Sequence, residues 1–213
     1  MSGPAQPYPV HAALEAEDAK SALRTAIRSV RDARTERRRD EAAHALAEVV
    51  LTIPEVRDAR RVGLYAARPA EPGTAPLLDA LDELGKTILL PVLGAGLQRD
   101  WAPYAGSHDL LQRAPGRPPE PSGDPVGPSA LEDVDVVIAP ALAVDTSGTR
   151  LGQGGGWYDR ALTFVRPDVK IVAVVFPEEI YDAQERPLPR EEHDRPVHGY
   201  ATPHGWEWIT ASA

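Results

Sequence analysis

Between Arg150 and Arg160 the chain reads Arg-Leu-Gly-Gln-Gly-Gly-Gly-Trp-Tyr-Asp-Arg, with glycine at 152, 154, 155 and 156. Four glycines in five positions clear side chains from a stretch of backbone, so that successive N–H groups can converge on an anion. Phosphate is the natural guest. Arg150 offers a cation, and Asp159 a carboxylate for a divalent metal that bridges phosphate oxygens. The following Tyr-Asp-Arg-Ala-Leu-Thr-Phe-Val reads as a helix whose N-terminus adds partial positive charge. The residues alone leave a second reading open, in which the glycines only permit a tight turn.

The stretch matches neither of two familiar phosphate loops. Gly155-Gly156-Trp157 lacks the lysine and hydroxyl that end a Walker loop, and the sixth position from Gly152 is Trp157, where a dinucleotide fingerprint needs glycine. Positive partners for a triphosphate must therefore come from elsewhere in the chain. Lys20 and Arg24 are candidates, because they lie four apart beside Leu23 and Ile27 in a helical pattern. Spacing alone equally fits a solvated basic face.

The surrounding elements follow from periodicity. Residues 14–34 carry Leu23, Ile27 and Val30 at helical spacing; Thr35 then reads as the N-cap of a second helix to about Leu51, with Pro54 just beyond. Short apolar runs at 61–67, 87–93, 134–144 and 170–176 read as strands, the last two continuous as in a sheet covered on both faces. Residues 74–84 have helical periodicity and stop at Gly85, so strand, helix and strand form a parallel pair with a right-handed crossover. Residues 94–127, rich in proline and glycine, form a long loop that has room for a short β element. Trp101 and Tyr104 near its start fit either a ring-binding wall or a core. Residues 178–213 alternate prolines with charges and include Trp206 and Trp208. No internal repeat is present.

The chain has 213 residues, 42% of them hydrophobic, with 32 acidic against 23 basic side chains and a formal charge of -9. That length suits one domain, residues 13–213, behind a flexible tail at 1–12 that carries Pro4, Pro7 and Pro9. The acidic balance disfavours a nucleic-acid partner, and any anionic ligand must be held locally. With no cysteine, a thiol nucleophile, a thiolate metal site and a disulfide framework are excluded. No secretory signal or apolar run of about 20 residues is evident, so a cytoplasmic protein without membrane association is expected.

Several of these residues together resemble one family. Lys20-x-x-Leu23-Arg24, Glu71-x-x-Thr74, Pro119-Glu120-Pro121 and the long run from Pro140 through Leu142, Asp145, Gly148 and the glycine loop to Arg160 are similar, in this order, to the 5-formyltetrahydrofolate cyclo-ligases. The resemblance implies an α/β fold, a Rossmann-like three-layer sandwich with a mostly parallel central sheet flanked by helices. It implies a cytoplasmic monomer that uses ATP and magnesium to close 5-formyltetrahydrofolate, with or without a polyglutamate tail, to 5,10-methenyltetrahydrofolate. A regulator on the same fold that binds folate or nucleotide without turnover is the rival reading.

Carried over by position, Lys20, Arg24 and Arg150 are the catalytic cations on the ATP phosphates. Leu151, Gly152, Gln153, Gly154, Gly155, Gly156, Trp157 and Tyr158 complete the ATP loop. Glu71, Gln153, Gly154, Gly155, Gly156 and Trp157 border the folate, and Asp159 and Asp194 bind magnesium. From the residues alone, Asp194 fits a turn cap as well, and Glu71 fits a cap for the helix near Thr74. Trp157 replaces the family's tyrosine, and Gln153 stands where an aromatic or basic residue is common. A lone His193 in a charged loop is not taken as a general base.

Overall fold

Two helices come first in the computed structural model, which describes residues 6–8, 15–93, 99–192 and 194–210. Helix α1 is Ala16–Asp32 and α2 is Glu36–Leu51, the latter capped by Thr35, whose hydroxyl accepts the Arg38 N–H. After a short α3 (Pro54–Asp58) come β1 (Arg61–Gly63), α4 (Ala75–Glu83), β2 (Thr87–Leu93) and β3 (Arg99–Pro103). There follow β4 (Val136–Pro140), β5 (Ala143–Asp145), β6 (Arg150–Leu151), α5 (Trp157–Ala161), β7 (Lys170–Val174), β8 (Ile180–Tyr181), β9 (Gly199–Thr202) and β10 (Gly205–Trp208).

Seven strands form one sheet in the order β10-β9-β7-β4-β1-β2-β3. The inner pairs are all parallel, and the edge strands β3 and β10 run antiparallel to their neighbours. Alternation within β4 shows why the sheet needs cover on both sides. Val136 and Ile138 face α2, α3 and α4 with Leu46, Val50 and Leu78, whereas Val137 and Ala139 face Trp101, Leu131 and Leu162. The α4 helix ends as expected at Gly85, with φ +70°; the Gly85 N–H bonds Asp82 and the Lys86 N–H bonds Leu81.

A second, three-stranded sheet, β6-β5-β8, forms a third packed cluster with α1: Leu23 and Ile27 meet Leu142, Ala143, Leu151 and Tyr181. Within α1, Arg31 is 1% exposed and forks onto Glu179, Nε and Nη2 each 2.7 Å from a carboxylate oxygen, while Nη2 also bonds the Ala141 carbonyl at 2.7 Å.

Three sequence expectations need correction. Residues 134–144 are not one strand: Pro140 ends β4, and the Leu142 N–H turns to the Leu151 carbonyl, which sends β5 into the smaller sheet. In 61–67 only the first three residues are a strand, since Tyr65 and Ala67 give their backbone groups to the Thr74 hydroxyl. The helix after the glycines has five residues before a 3-10 turn at Leu162–Phe164. Residues 199–208, assigned no element from the sequence, form the β9–β10 hairpin. Within residues 1–12, Gln6 donates to the Glu178 and Ile180 carbonyls and Tyr8 to that of Pro187.

Candidate active site

A cavity of about 440 Å³ opens where α1, the glycine run, the end of β2 and the 117–120 segment meet. The residues that the family resemblance carried over lie on its wall: Lys20, Arg24, Glu71, Asp194 and all of residues 150–159. Positions 130 residues apart converge because α1 is docked on the small sheet whose strands β5 and β6 launch the glycine loop.

Helix α1 turns a row of cations toward that loop. Lys20 is 3% exposed, with Nζ 2.6 Å from both Glu191 Oε2 and Asp194 Oδ2. Burial works to depress its pKa, but the two carboxylates outweigh burial and hold the ammonium above its ordinary value. One turn on, Arg24 Nε donates to the Gly152 carbonyl at 3.1 Å and Nη1 to Glu17 at 2.8 Å. Arg28, a further turn on, donates to both the side-chain and main-chain oxygens of Gln153. The helix thus grips the loop by its carbonyls, which leaves the loop's N–H groups for a ligand.

Glycine is required at two of the loop positions. Gly154 has φ +98° and Gly156 φ +56°, a left-handed region that L side chains rarely enter. A Cβ on Gly154 would also stand 3.3 Å from the Arg24 guanidinium. The five-residue α5 is too short to supply much of a macrodipole, so the expected helix-terminal charge is replaced by guanidiniums. Arg160 donates to the Gly155 carbonyl at 2.7 Å, and Arg99 approaches the same oxygen at 3.4 Å.

Arg150, on β6, is 5% exposed and pairs with Asp159 at 2.5 Å, with a long bond from Nη1 to the Pro140 carbonyl. Its Nε and the Tyr158 hydroxyl are buried polar atoms that find no partner among the described residues. Burial first, then the charge of Glu71, pushes the Tyr158 phenol well above its ordinary range, so it stays a donor. Two idle buried donors beside a glycine loop call for acceptor oxygens from a ligand.

Glu71 does not cap α4. Its Oε2 accepts the Arg68 N–H at 2.9 Å and its Oε1 accepts the Gln153 amide at 3.0 Å. Because Gln153 receives Arg28 on its oxygen, its NH2 must face Glu71. Trp101 and Tyr104, read as wall or core, belong to the core: Trp101 is 1% exposed and backs Trp157 and Tyr158 at ring-centroid distances of 5.0 and 6.3 Å, and Tyr104 bonds Asp79. Among the described residues no group of three His, Cys, Asp or Glu gathers as a protein-only metal site. Asp159 and Asp194 each face one of the cations instead, Arg150 and Lys20. His193 lies outside the described residues.

A sequence profile of the 5-formyltetrahydrofolate cyclo-ligase family matches residues 16–203. The chain belongs to that family. A 5-formyltetrahydrofolate cyclo-ligase of Mycolicibacterium smegmatis is 35% identical over 189 residues, spanning 86% of this chain and 93% of that protein. The one from Escherichia coli K12 is 33% identical over 186 residues, 85% of this chain and the whole of that protein. The solved structure of 5,10-methenyltetrahydrofolate synthetase from Aquifex aeolicus has a TM-score of 0.75 at 28% identity, over 91% of this chain and 94% of that one. The protein is thus a ligase of the cyclo-ligase family with that family's α/β fold.

The cyclo-ligase cavity and the contacts around it include residues that the sequence reading passed over. Glu191 shares Lys20 with Asp194, three positions away, and Arg28 extends the four-residue spacing of Lys20 and Arg24. Both were within reach of the spacing argument. Arg68, Arg117 and Tyr65 line the cavity too, and only the folded topology places them there. Among the described residues, no helix is long and apolar enough to cross a membrane.

Proposed function

We propose that the chain converts 5-formyltetrahydrofolate and ATP to 5,10-methenyltetrahydrofolate, ADP and phosphate. The observation that carries the reading is the meeting of Lys20, Arg24 and Arg150 with the glycine loop around one cavity, where Arg150 Nε and the Tyr158 hydroxyl lack partners among the described residues.

A formamide oxygen leaves poorly. Transfer of the γ-phosphoryl group to the formyl oxygen makes it a phosphate ester; N10 then attacks the formyl carbon, loses its proton, and the C–O bond breaks to release phosphate. No covalent enzyme nucleophile is needed, so a chain without cysteine lacks nothing. Lys20, Arg24 and Arg150 hold and neutralise the phosphates, and the loop amides fix the transferring group in line with the formyl oxygen. Glu71, held at both oxygens, and the Gln153–Trp157 stretch border the folate. The hard oxygen donors Asp159 and Asp194 fit magnesium, which with only two carboxylates would keep water and phosphate oxygens as its other ligands and offset phosphate charge. Their present partners, Arg150 and Lys20, are the same cations that the phosphates would engage, so binding exchanges partners without stranding a charge.

The same reading makes the protein a cytoplasmic monomer. The test is the absorbance of methenyltetrahydrofolate on mixing protein, ATP, magnesium and 5-formyltetrahydrofolate. A rise that requires all four components is expected. A flat trace from folded protein that still binds folate would establish the non-catalytic rival instead.

A further inference from the structure

Four acids are buried among the described residues: Glu71, Glu120, Asp145 and Glu179. Three are compensated by hydrogen bonds. Glu71 accepts from the Arg68 N–H and Gln153. Asp145 accepts from the N–H groups of Ser147, Thr149 and Leu188, and Glu179 from Arg31 and the Phe176 N–H. Glu120 is the exception. It is 3% exposed, yet its carboxylate accepts no hydrogen bond from any described residue. Among the described residues the only cation paired with it is Arg113, whose Nε stands 3.5 Å from Oε2 and whose own side chain is 49% exposed.

Glu120 also lines the cavity, and its backbone is pinned there. It exchanges both main-chain hydrogen bonds with Leu111, at 2.9 and 3.0 Å, and proline precedes and follows it. A carboxylate held in the cavity wall, with no protein donor among the described residues, keeps both oxygens able to accept from a ligand.

We propose that Glu120 is a substrate-binding residue that accepts a pair of parallel hydrogen bonds from the pterin edge of the folate, the ring N3–H and the adjacent 2-amino group. Those two donors form a planar fork matched to the two carboxylate oxygens, as a guanidinium is. Glu71 is less suited to the fork, since each of its oxygens already holds a protein donor. Pro118 and Pro119 adjoin Glu120 in the cavity wall, with Pro91 and Val92 also in the lining, which supplies apolar surface for a flat ring. The inference rests on the reading of 5-formyltetrahydrofolate as substrate.

Intrinsic fluorescence titration without ATP tests it on wild type, Glu120→Gln and Arg113→Ala, with MgATP affinity as the check that the site is intact. The Kd for 5-formyltetrahydrofolate is expected to rise about tenfold or more in Glu120→Gln and to stay within about twofold in Arg113→Ala, with MgATP affinity unchanged in both. An analogue with methyl in place of the 2-amino group should bind wild type weakly and lose little further in Glu120→Gln. Equal folate affinity of Glu120→Gln and wild type overturns the assignment, and so do equal losses in Glu120→Gln and Arg113→Ala, because a plain ion-pair role predicts both to act alike. Wild type that binds no 5-formyltetrahydrofolate overturns the substrate reading itself, and the Glu120 assignment with it.

Discussion

Replacing Arg31 with methionine keeps an unbranched chain of similar reach and removes a guanidinium that makes three bonds of 2.7 Å, two to Glu179 and one to the Ala141 carbonyl. What remains is a carboxylate 3% exposed whose one other described donor is the Phe176 N–H. Removing one partner of a buried pair costs about 3–5 kcal/mol, because the other charge is stranded. For a chain of this size roughly 2–4 °C of Tm accompanies each kcal/mol, so a fall of roughly 6–20 °C is expected. Burial already raises the Glu179 pKa against the pull of Arg31. Without the arginine it rises further. An acid raised in the folded state costs nothing below its unfolded pKa and most above its folded one, so the deficit of Arg31→Met should shrink as pH falls through the carboxylate range. Urea unfolding at pH 4.5 and pH 8 measures both the loss and its slope. The double variant Arg31→Met/Glu179→Leu should recover roughly half or more of the loss. A single-variant loss under about 1 kcal/mol, or a double variant as unstable as the two losses added, would refute the reasoning.

Lys20→Ala should raise the KM for ATP about tenfold or more through loss of a charge-assisted contact, with 5-formyltetrahydrofolate affinity much less affected; initial rates against each substrate decide it. Asp159→Asn should raise the magnesium concentration for half-maximal rate about tenfold while circular dichroism stays unchanged. Gly154→Ala forces a side chain into φ +98° against Arg24 and should cost roughly 1–3 kcal/mol by denaturant unfolding. Gly155→Ala, with nothing within 4 Å of the added carbon, should cost little by the same measurement. His198 accepts the Ile171 N–H on Nδ1, and burial together with the Lys170 charge holds its pKa below the ordinary 6.5. The unfolded state therefore binds the proton first, so thermal stability should fall as pH drops below about 6.5, and His198→Asn should flatten that part of the profile.

Helix α1, the Thr35 cap and the Gly85 stop were legible because each depends on neighbours within a few positions, and the parallel β1–β2 pair because strand, helix and strand follow one another with short connections. The break at Pro140 was not. A continuous apolar run looks the same whether it stays in one buried sheet or passes to another, and only the Leu142–Leu151 pairing distinguishes them. The β9–β10 hairpin was hidden for a related reason, since Gly199–Thr202 is four residues long and its partner strand alternates tryptophan with glycine and glutamate. In the site, spacing located Lys20, Arg24 and the glycine run, and the order of motifs located Glu71 and Asp194. Spacing could not say that Asp194 would face Lys20, 174 positions away, nor that Glu120 would lie in the same cavity wall, because such long-range neighbours are set by topology.

The large sheet accounts for most of the core, yet it contributes few of the cavity's charged groups. Lys20 and Arg24 come from α1, Arg150 from β6, and Asp159 from the short helix after the glycines. These elements share the small sheet or the loop it launches, and α1 is tied to them by Leu23 and Ile27 on its apolar side and by Arg31 at its far end. The helix therefore serves two tasks, apolar at 23 and 27 to dock, cationic at 24 and 28 to grip the loop and at 20 to hold Glu191 and Asp194. The arrangement explains why Arg31→Met should affect ATP use as well as stability. Loosening the anchor displaces the helix that holds the loop by its carbonyls, and the N–H groups facing the ligand lose their fixed direction.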